Sequence, residues 1–113
     1  MFSIFSDLLP QISVEQVKEA LDSEKNIKIL DVRTPNEYKE GHIKVCILLP
    51  VDKMKDKVAQ IFPDKEQKIY VYCRSGARSA RATREMKKLG YTNVYNIQGG
   101  IMAWQNKGYP ISK

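Results

Sequence analysis

Cys73 follows the short run Ile69-Tyr70-Val71-Tyr72 and precedes Arg74-Ser75-Gly76-Ala77-Arg78-Ser79. The apolar and aromatic run suits a buried strand. The residues after the loop carry a helical pattern that stops at Gly90. A strand passing through a short loop into a helix aims several backbone N–H groups at one point, and the helix start adds partial positive charge. A cysteine sulfur over such a cradle loses its proton readily, because the thiolate is the stabilised form. The competing reading is a structural cysteine buried at a strand end. Gly76 and the flanking arginines argue against it, since neither residue type fills an apolar core.

Other ways of activating Cys73 find little support in the sequence. His42 is the single histidine and is read as a structural turn residue, so a Cys–His pair and a zinc site lack their ligands. There is no Cys-x-x-Cys, which removes a thioredoxin-like dithiol. Cys46 lies in an apolar run and reads as core; a resolving role would require disulfide distance to Cys73. What remains is electrostatic activation by loop amides, the helix start and Arg74 or Arg78. That device suits attack on the sulfur or phosphorus of an anionic substrate, and it suits holding a negatively charged persulfide afterwards.

The elements that must position this loop follow from pattern and punctuation. Strands are expected at 27–32, 45–49, 69–72 and 94–97, with helical segments between them, and 45–49 reads as a buried strand. Ser13 with Gln16 is a capping box opening a helix over 14–24, and Thr34-Pro35-Asn36-Glu37 opens a second helix in the same way. A helix over 52–61 places Met54, Val58 and Ile61 inward, and Gly99-Gly100 turns the chain into a last helix holding Trp104, which is read as structural. This alternation is the rhythm of an α/β fold in three layers: a mainly parallel central sheet with helices on both faces. Ligands in such folds gather beyond the carboxyl ends of the strands. Asp31 and Arg33 stand at one such end, with Asp31 expected to accept loop N–H bonds and Arg33 to pair with a nearby acid such as Glu37.

The 113 residues make one domain, large enough for a core without staples. Residues 1–11 read as an N-terminal arm, with Phe2, Ile4, Phe5, Leu8 and Leu9 available for docking; 12–110 form the domain and 111–113 a tail. Two cysteines make no disulfide framework, and the start has neither a signal-peptide pattern nor the length of a membrane span. A cytoplasmic protein with no membrane partner is expected. The net charge of +6 is scattered except over 73–90, where Arg74, Arg78, Arg81, Arg84, Lys87 and Lys88 meet only Glu85. That concentration points to an anionic small molecule or an acidic partner protein. No interleaved stacking aromatics accompany it, so a nucleic-acid partner is not expected.

Three segments, in order, resemble a known family. The loop from Cys73 to Ser79 resembles the active-site loop of the rhodanese sulfurtransferases. Ile29-Leu30-Asp31-Val32-Arg33, with Glu37-Tyr38 and Gly41-His42-Ile43, resembles the family's first signature, and Gly99-Gly100 followed by Trp104 its closing one. The match covers roughly 12–109, as in a stand-alone, single-domain thiosulfate sulfurtransferase. The resemblance implies a rhodanese-like fold and transfer of sulfane sulfur through a persulfide on Cys73. The donor would be an anion such as thiosulfate, the acceptor cyanide or a thiol, and no cofactor or metal is implied. Arg74, Ser75, Gly76, Ala77, Arg78 and Ser79 would form the substrate-binding loop, and Asp31 and Arg33 would support it. Cysteine-dependent phosphatases and arsenate reductases share the fold but carry one more residue between Cys and Arg. Four residues, 74–77, separate Cys73 from Arg78 here, which favours sulfur. A non-catalytic sulfur-delivery or regulatory binding domain is a third reading. Where the family commonly continues with Gly-Ala and then Asn-Ile-Pro, this chain has Val45-Cys46-Ile47-Leu48-Leu49-Pro50, so altered packing is expected there.

Overall fold

The computed structural model describes residues 9–24 and 26–113; the arm residues Phe2, Ile4, Phe5 and Leu8 lie outside the described residues. Its elements in chain order are β1 (Gln11–Ile12), α1 (Val14–Ser23), β2 (Lys28–Asp31), α2 (Pro35–Glu40), β3 (Cys46–Leu48), α3 (Met54–Ile61), β4 (Ile69–Tyr72), α4 (Ala77–Lys88), β5 (Val94–Ile97) and α5 (Gly100–Asn106). A 3₁₀ turn, Val51–Lys53, leads into α3. The five strands form one sheet in the order β1-β5-β4-β2-β3, and every pair is parallel. This is the three-layer α/β architecture expected from the alternation of elements.

Alternate side chains of the strands feed two cores on opposite faces of the sheet. On one face Leu30, Val71 and Val94 pack with Met54 and Val58 of α3 and with Ala82 and Met86 of α4. On the other, Ile29, Tyr70, Tyr72 and Ile97 pack with Val14 and Val17 of α1 and with Ile101 and Trp104 of α5. Both capping boxes are present: Ser13 Oγ accepts from Gln16 N at 3.1 Å, and Thr34 Oγ1 accepts from Glu37 N at 3.2 Å. Each satisfies donors that the first helical turn would otherwise leave open. Among the described residues, no helix is long and apolar enough to cross a membrane.

Three local features differ from the sequence reading. β1 was not expected; Gln11 and Ile12 pair with Asn96 and Ile97 at the sheet edge. At the other end of the chain, Ile111 packs on the second core and Ser112 bridges to His42, so two residues assigned to a tail are joined to the body. The run 45–49 is not a buried strand. β3 covers only Cys46–Leu48, lies at the opposite edge and is half-buried along its length. Parallel edge strands and central strands share the same apolar composition, and only the topology separates them.

Val45, just before β3, has φ +64° and is 62% exposed. A β-branched residue in the left-handed region carries a steric penalty that no burial offsets here. Val45→Gly is therefore expected to stabilise the fold by about 1 kcal/mol, read as a higher urea midpoint at unchanged slope. A midpoint that stays put or falls would show that Val45 is not strained.

Candidate active site

β4 delivers Cys73 to the carboxyl edge of the sheet. There β2 and β4 run in register, with Asp31 opposite Tyr72. Cys73 belongs to the α3/α4 face, whereas Cys46 packs among the residues of the α1/α5 face. The two thiols thus lie on opposite faces of the sheet, which separates Cys46 from the chemistry at Cys73. Cys46 Sγ contacts Tyr72 Oη at 3.5 Å, and burial pushes its thiol up to about 11. That disfavours its thiolate at neutral pH.

The loop after Cys73 folds back on the sulfur. The backbone N–H of Gly76 donates to Cys73 Sγ at 3.1 Å. Gly76 caps α4 with φ +118°, a left-handed conformation that glycine adopts without steric cost. Burial alone would push the Cys73 thiol up. The Ser79 hydroxyl, together with the backbone N–H groups of Ser79, Gly76 and Ser75, outweighs it and holds the thiol below its usual value. The cradle is built from loop amides and a hydroxyl rather than from an acid–base partner.

α5 fixes the first two peptides of this loop. The N–H of Ile101 donates to the carbonyl of Cys73 at 3.0 Å, and the N–H of Met102 to the carbonyl of Arg74 at 3.1 Å. Because the peptide unit is planar and trans, the Arg74 carbonyl pulled toward α5 turns the following N–H, that of Ser75, the opposite way, toward the sulfur. Gly100 makes the approach possible. A β-carbon there would collide with the carbonyl oxygens of Cys73 and Arg74, and its φ is +57°. Gly99 adds the sharp turn before it, at φ +77°. The second glycine of the pair is thus an element of the site, although it lies 27 residues beyond the cysteine in sequence.

Asp31 and Arg33 form a buried pair. Arg33 Nη2 lies 2.7 Å from Asp31 Oδ2, Nε lies 2.9 Å from Oδ1, and the second Arg33 Nη2 contact is the carbonyl of Gly41 at 2.7 Å. Asp31 accepts the loop N–H of Arg33 at 3.0 Å, as expected, and also the hydroxyl of Tyr72 at 2.7 Å. Tyr72 is itself neutral well beyond ordinary pH, because burial and Asp31 both push it up. The expected partner of Arg33 was Glu37, and this is corrected. Asp31, two residues away at the same strand end, satisfies the guanidinium in a bidentate pair.

Glu37 instead crosses to α4. Its carboxylate takes both Arg78 nitrogens, Nη1 at 2.7 Å and Nη2 at 2.8 Å, which fastens the first turn of α4 to α2. The Arg78 guanidinium holds the Glu37 carboxyl at about 2, below its ordinary value of 4.5, against the opposing effect of burial. The folded-state value is the lower one. The pair therefore stabilises the fold above pH 4.5, and the contribution is lost as the pH falls through about 2. Glu37→Gln keeps an acceptor for the capping box but removes the charge. It is expected to be less stable than the parent at neutral pH, with the gap closing toward pH 2 in denaturant titrations. A gap that stays constant with pH would assign it to geometry rather than to the ion pair.

Of the remaining loop residues, Arg74, Ser75 and Ala77 are exposed and Ser79 is fully buried. Arg74 has no carboxylate partner among the described residues. It borders a cavity of about 220 Å³ whose other walls include Arg33, Glu37, Ile101, Met102 and Gln105. Ser79 Oγ donates to Asn96 Oδ1 at 2.5 Å, and Asn96 Nδ2 donates to Gln11 Oε1 at 3.2 Å. Sequence reasoning missed Asn96 and Gln11. A buried asparagine within the strand pattern Val94 to Ile97 is the one signal that could have found the first of them. His42 stacks on Tyr38 at 3.8 Å and Trp104 Nε1 donates to the Pro110 carbonyl at 2.8 Å, so both are engaged in local structure. Among the described residues, no three His, Cys, Asp or Glu side chains converge as metal ligands.

This geometry has relatives. The family model described as Rhodanese-like domain matches residues 13–107. A protein named Sulfurtransferase from Allochromatium vinosum is 34% identical over 104 residues, covering 92% of this chain and 95% of that protein. A candidate sulfur carrier protein of Bacillus subtilis, YrkF, is 35% identical over 99 residues, which are 88% of this chain but 52% of YrkF. The chain thus spans about half the length of that relative. Among solved structures, a rhodanese-related protein from Thermoplasma volcanium superposes with a TM-score of 0.80 at 31% identity, covering 91% of this chain and 97% of that one. With the family model matched over nearly the whole chain and a single-domain relative covered almost end to end, the chain belongs to the rhodanese family.

Proposed function

We propose that this chain is a thiosulfate sulfurtransferase working through a persulfide on Cys73. The observation that supports it most is the short amide cradle around the Cys73 sulfur, with four residues before Arg78. The Cys73 thiolate attacks the outer sulfur of thiosulfate; the donor's S–S bond breaks and sulfite leaves with the electron pair. The persulfide anion then rests against the N–H groups of Ser75, Gly76 and Ser79. Cyanide or a thiolate attacks its outer sulfur in turn, and the departing electron pair restores the Cys73 thiolate. No cofactor enters either step.

Arg74, exposed and without a carboxylate partner among the described residues, draws the anionic donor to the cavity mouth. Arg78 acts differently: engaged by Glu37, it holds the first turn of α4 in place while its positive field still reaches Cys73. Gly76 and Ala77 carry the chain from cradle into helix, and Asp31 with Arg33 keeps the adjacent strand end rigid. Arg81, Arg84 and Lys88 lie along the exposed face of α4 at helical spacing, which suits an acidic protein as acceptor or carrier. A reducing compartment such as the cytoplasm suits two free thiols.

The test is turnover of thiosulfate with cyanide, which should yield sulfite and thiocyanate in equal amounts. An aryl phosphate and arsenate should not turn over. Phosphate release or arsenate reduction without thiocyanate would transfer the site to the longer-loop chemistry. Failure of all three, with a persulfide still passed between protein thiols, would leave sulfur delivery as the role.

A further inference from the structure

The cavity of about 220 Å³ between α2, α5 and the start of the active-site loop is faced by two opposite charges that do not meet. Arg74 enters from the loop and Glu40 from the last position of α2. Both are exposed, and neither has an ion-pair partner among the described residues. The other two charged walls are already balanced, Arg33 by Asp31 and Glu37 by Arg78. What is left over on the cavity is one positive and one negative group, held apart. A plain anion placed there is repelled by Glu40, and a plain cation by Arg74. A zwitterion satisfies both at once, and the volume, below that of pockets for drug-sized ligands, suits a small one.

Three further features suit an amino acid. Arg33 is 5% exposed, and its Nε and Nη2 are taken by Asp31 and the Gly41 carbonyl, whereas Nη1 has no hydrogen-bond partner among the described residues. No fully buried side-chain nitrogen or oxygen lacks a partner among those residues, so Nη1 keeps an open face, and the cavity is the space that Arg33 borders. A carboxylate between Nη1 and Arg74 would accept from both guanidinium groups. Glu40 closes α2, where the helix dipole favours a cation, so local helix electrostatics give no reason for an acid there. Met102, 41% exposed and bonded through its N–H to the Arg74 carbonyl, adds a thioether wall for a sulfur-bearing side chain.

We infer that this cavity binds the amino and carboxylate groups of an α-amino acid carrying a thiol, such as cysteine, and that this thiol is an acceptor for the Cys73 sulfur. Arg74 and Arg33 Nη1 take the carboxylate, and Glu40 takes the ammonium. The acceptor role rests on the proposed function; binding of the zwitterion does not. Arg74 is the residue next to Cys73, and the N–H of Ile101, another wall, is bonded to the Cys73 carbonyl, so the ligand is held beside the sulfur-bearing residue. Its thiolate attacks the outer sulfur of the persulfide. The bond between the persulfide's two sulfurs breaks, and its electron pair restores the Cys73 thiolate. The product is the amino acid's own persulfide, and no oxidant or reductant is consumed. Sulfite has left before this step, so Arg74 serves donor and acceptor in turn.

The test is binding of S-methylcysteine, which has no thiol to react, to the full chain by isothermal titration calorimetry. Two probes each lack one end: β-(methylthio)propionate has no ammonium, and S-methylcysteamine has no carboxylate. S-methylcysteine is expected to bind more tightly than either by about fivefold or more. Glu40→Gln should close its lead over β-(methylthio)propionate, and Arg74→Gln its lead over S-methylcysteamine. Both positions are exposed, so neither substitution endangers the fold. Arg33 is left intact, because its loss would strand the Asp31 charge in the interior. Equal binding of the three probes, or no binding of S-methylcysteine, would overturn the inference. So would a lead that survives either substitution, which would place the amino acid elsewhere. The acceptor role is read on protein carrying the Cys73 persulfide. Cysteine should remove the sulfur with a lower half-saturating concentration than β-mercaptopropionate, and Glu40→Gln should narrow the difference. Sulfur passed to cyanide but not to cysteine would overturn the acceptor role. Probe binding as expected, with no persulfide formed from thiosulfate, would count against the proposed function and leave the amino-acid site standing.

Discussion

Cys73→Ser is expected to abolish sulfur transfer, by on the order of a thousand-fold or more, while the fold persists with a stability change within about 1 kcal/mol. Sulfur has two properties there that oxygen lacks. Its conjugate base forms within reach of neutral pH, and it forms an S–S bond with the donor that can later be broken by a second nucleophile. The surroundings are already suited to a hydroxyl. The serine oxygen would face the same Gly76 N–H that lies 3.1 Å from Cys73 Sγ, so no buried polar group is stranded. Full transfer by the serine variant would place the chemistry elsewhere in the chain.

Gly100→Ala has the second-largest expected effect, and it acts without touching any group that meets substrate. The added methyl would strike the carbonyls of Cys73 and Arg74, both of which are backbone and cannot swing aside like a side chain. Either α5 withdraws or the loop peptides rotate. In both cases the bonds from Ile101 and Met102 N–H weaken and the start of the loop, with the Ser75 amide, turns from the sulfur. Misplacement of about an ångström at a preorganised site costs on the order of a hundred-fold in rate. Gly108→Ala is the control. Gly108 has φ +74° with open space around its Cα, so an alanine there shares the backbone strain but not the collision. Gly108→Ala is expected to lose about 1 kcal/mol of stability and keep its transfer rate, whereas Gly100→Ala should lose transfer while still folded by circular dichroism. Equal activity in the two variants would show that α5 does not aim the loop.

The features legible from sequence were those fixed by neighbours along the chain. Ser13 with Gln16, and Thr34 with Glu37, form their capping boxes across three residues, and the strand-loop-helix around Cys73 is one continuous segment. Features that escaped are set by register between distant segments. β1 is two residues long and exists because β5 offers a free edge, not because Gln11 and Ile12 carry a strand pattern. Asn96 reaches Ser79 because Asn96 pairs with Val71 in the sheet, two residues before the cysteine. The partner of Glu37 escaped for the same reason, whereas that of Arg33 is local and was assigned to the wrong neighbour. Arg33 and Glu37 are near in sequence, but the carboxyl edge of the sheet brings α4 to α2 and leaves Asp31 for Arg33. Gly99-Gly100 was legible as a turn and as a family signature; its contact with the Cys73 carbonyl required the fold.

The most direct measurement is the intact mass of the reduced protein after incubation with thiosulfate and removal of excess donor. The sulfurtransferase account predicts a gain of one sulfur atom, located on the peptide containing Cys73, absent from Cys73→Ser and removed by cyanide. An unchanged mass together with no sulfite release, or an added sulfur found on Cys46 alone, would contradict it.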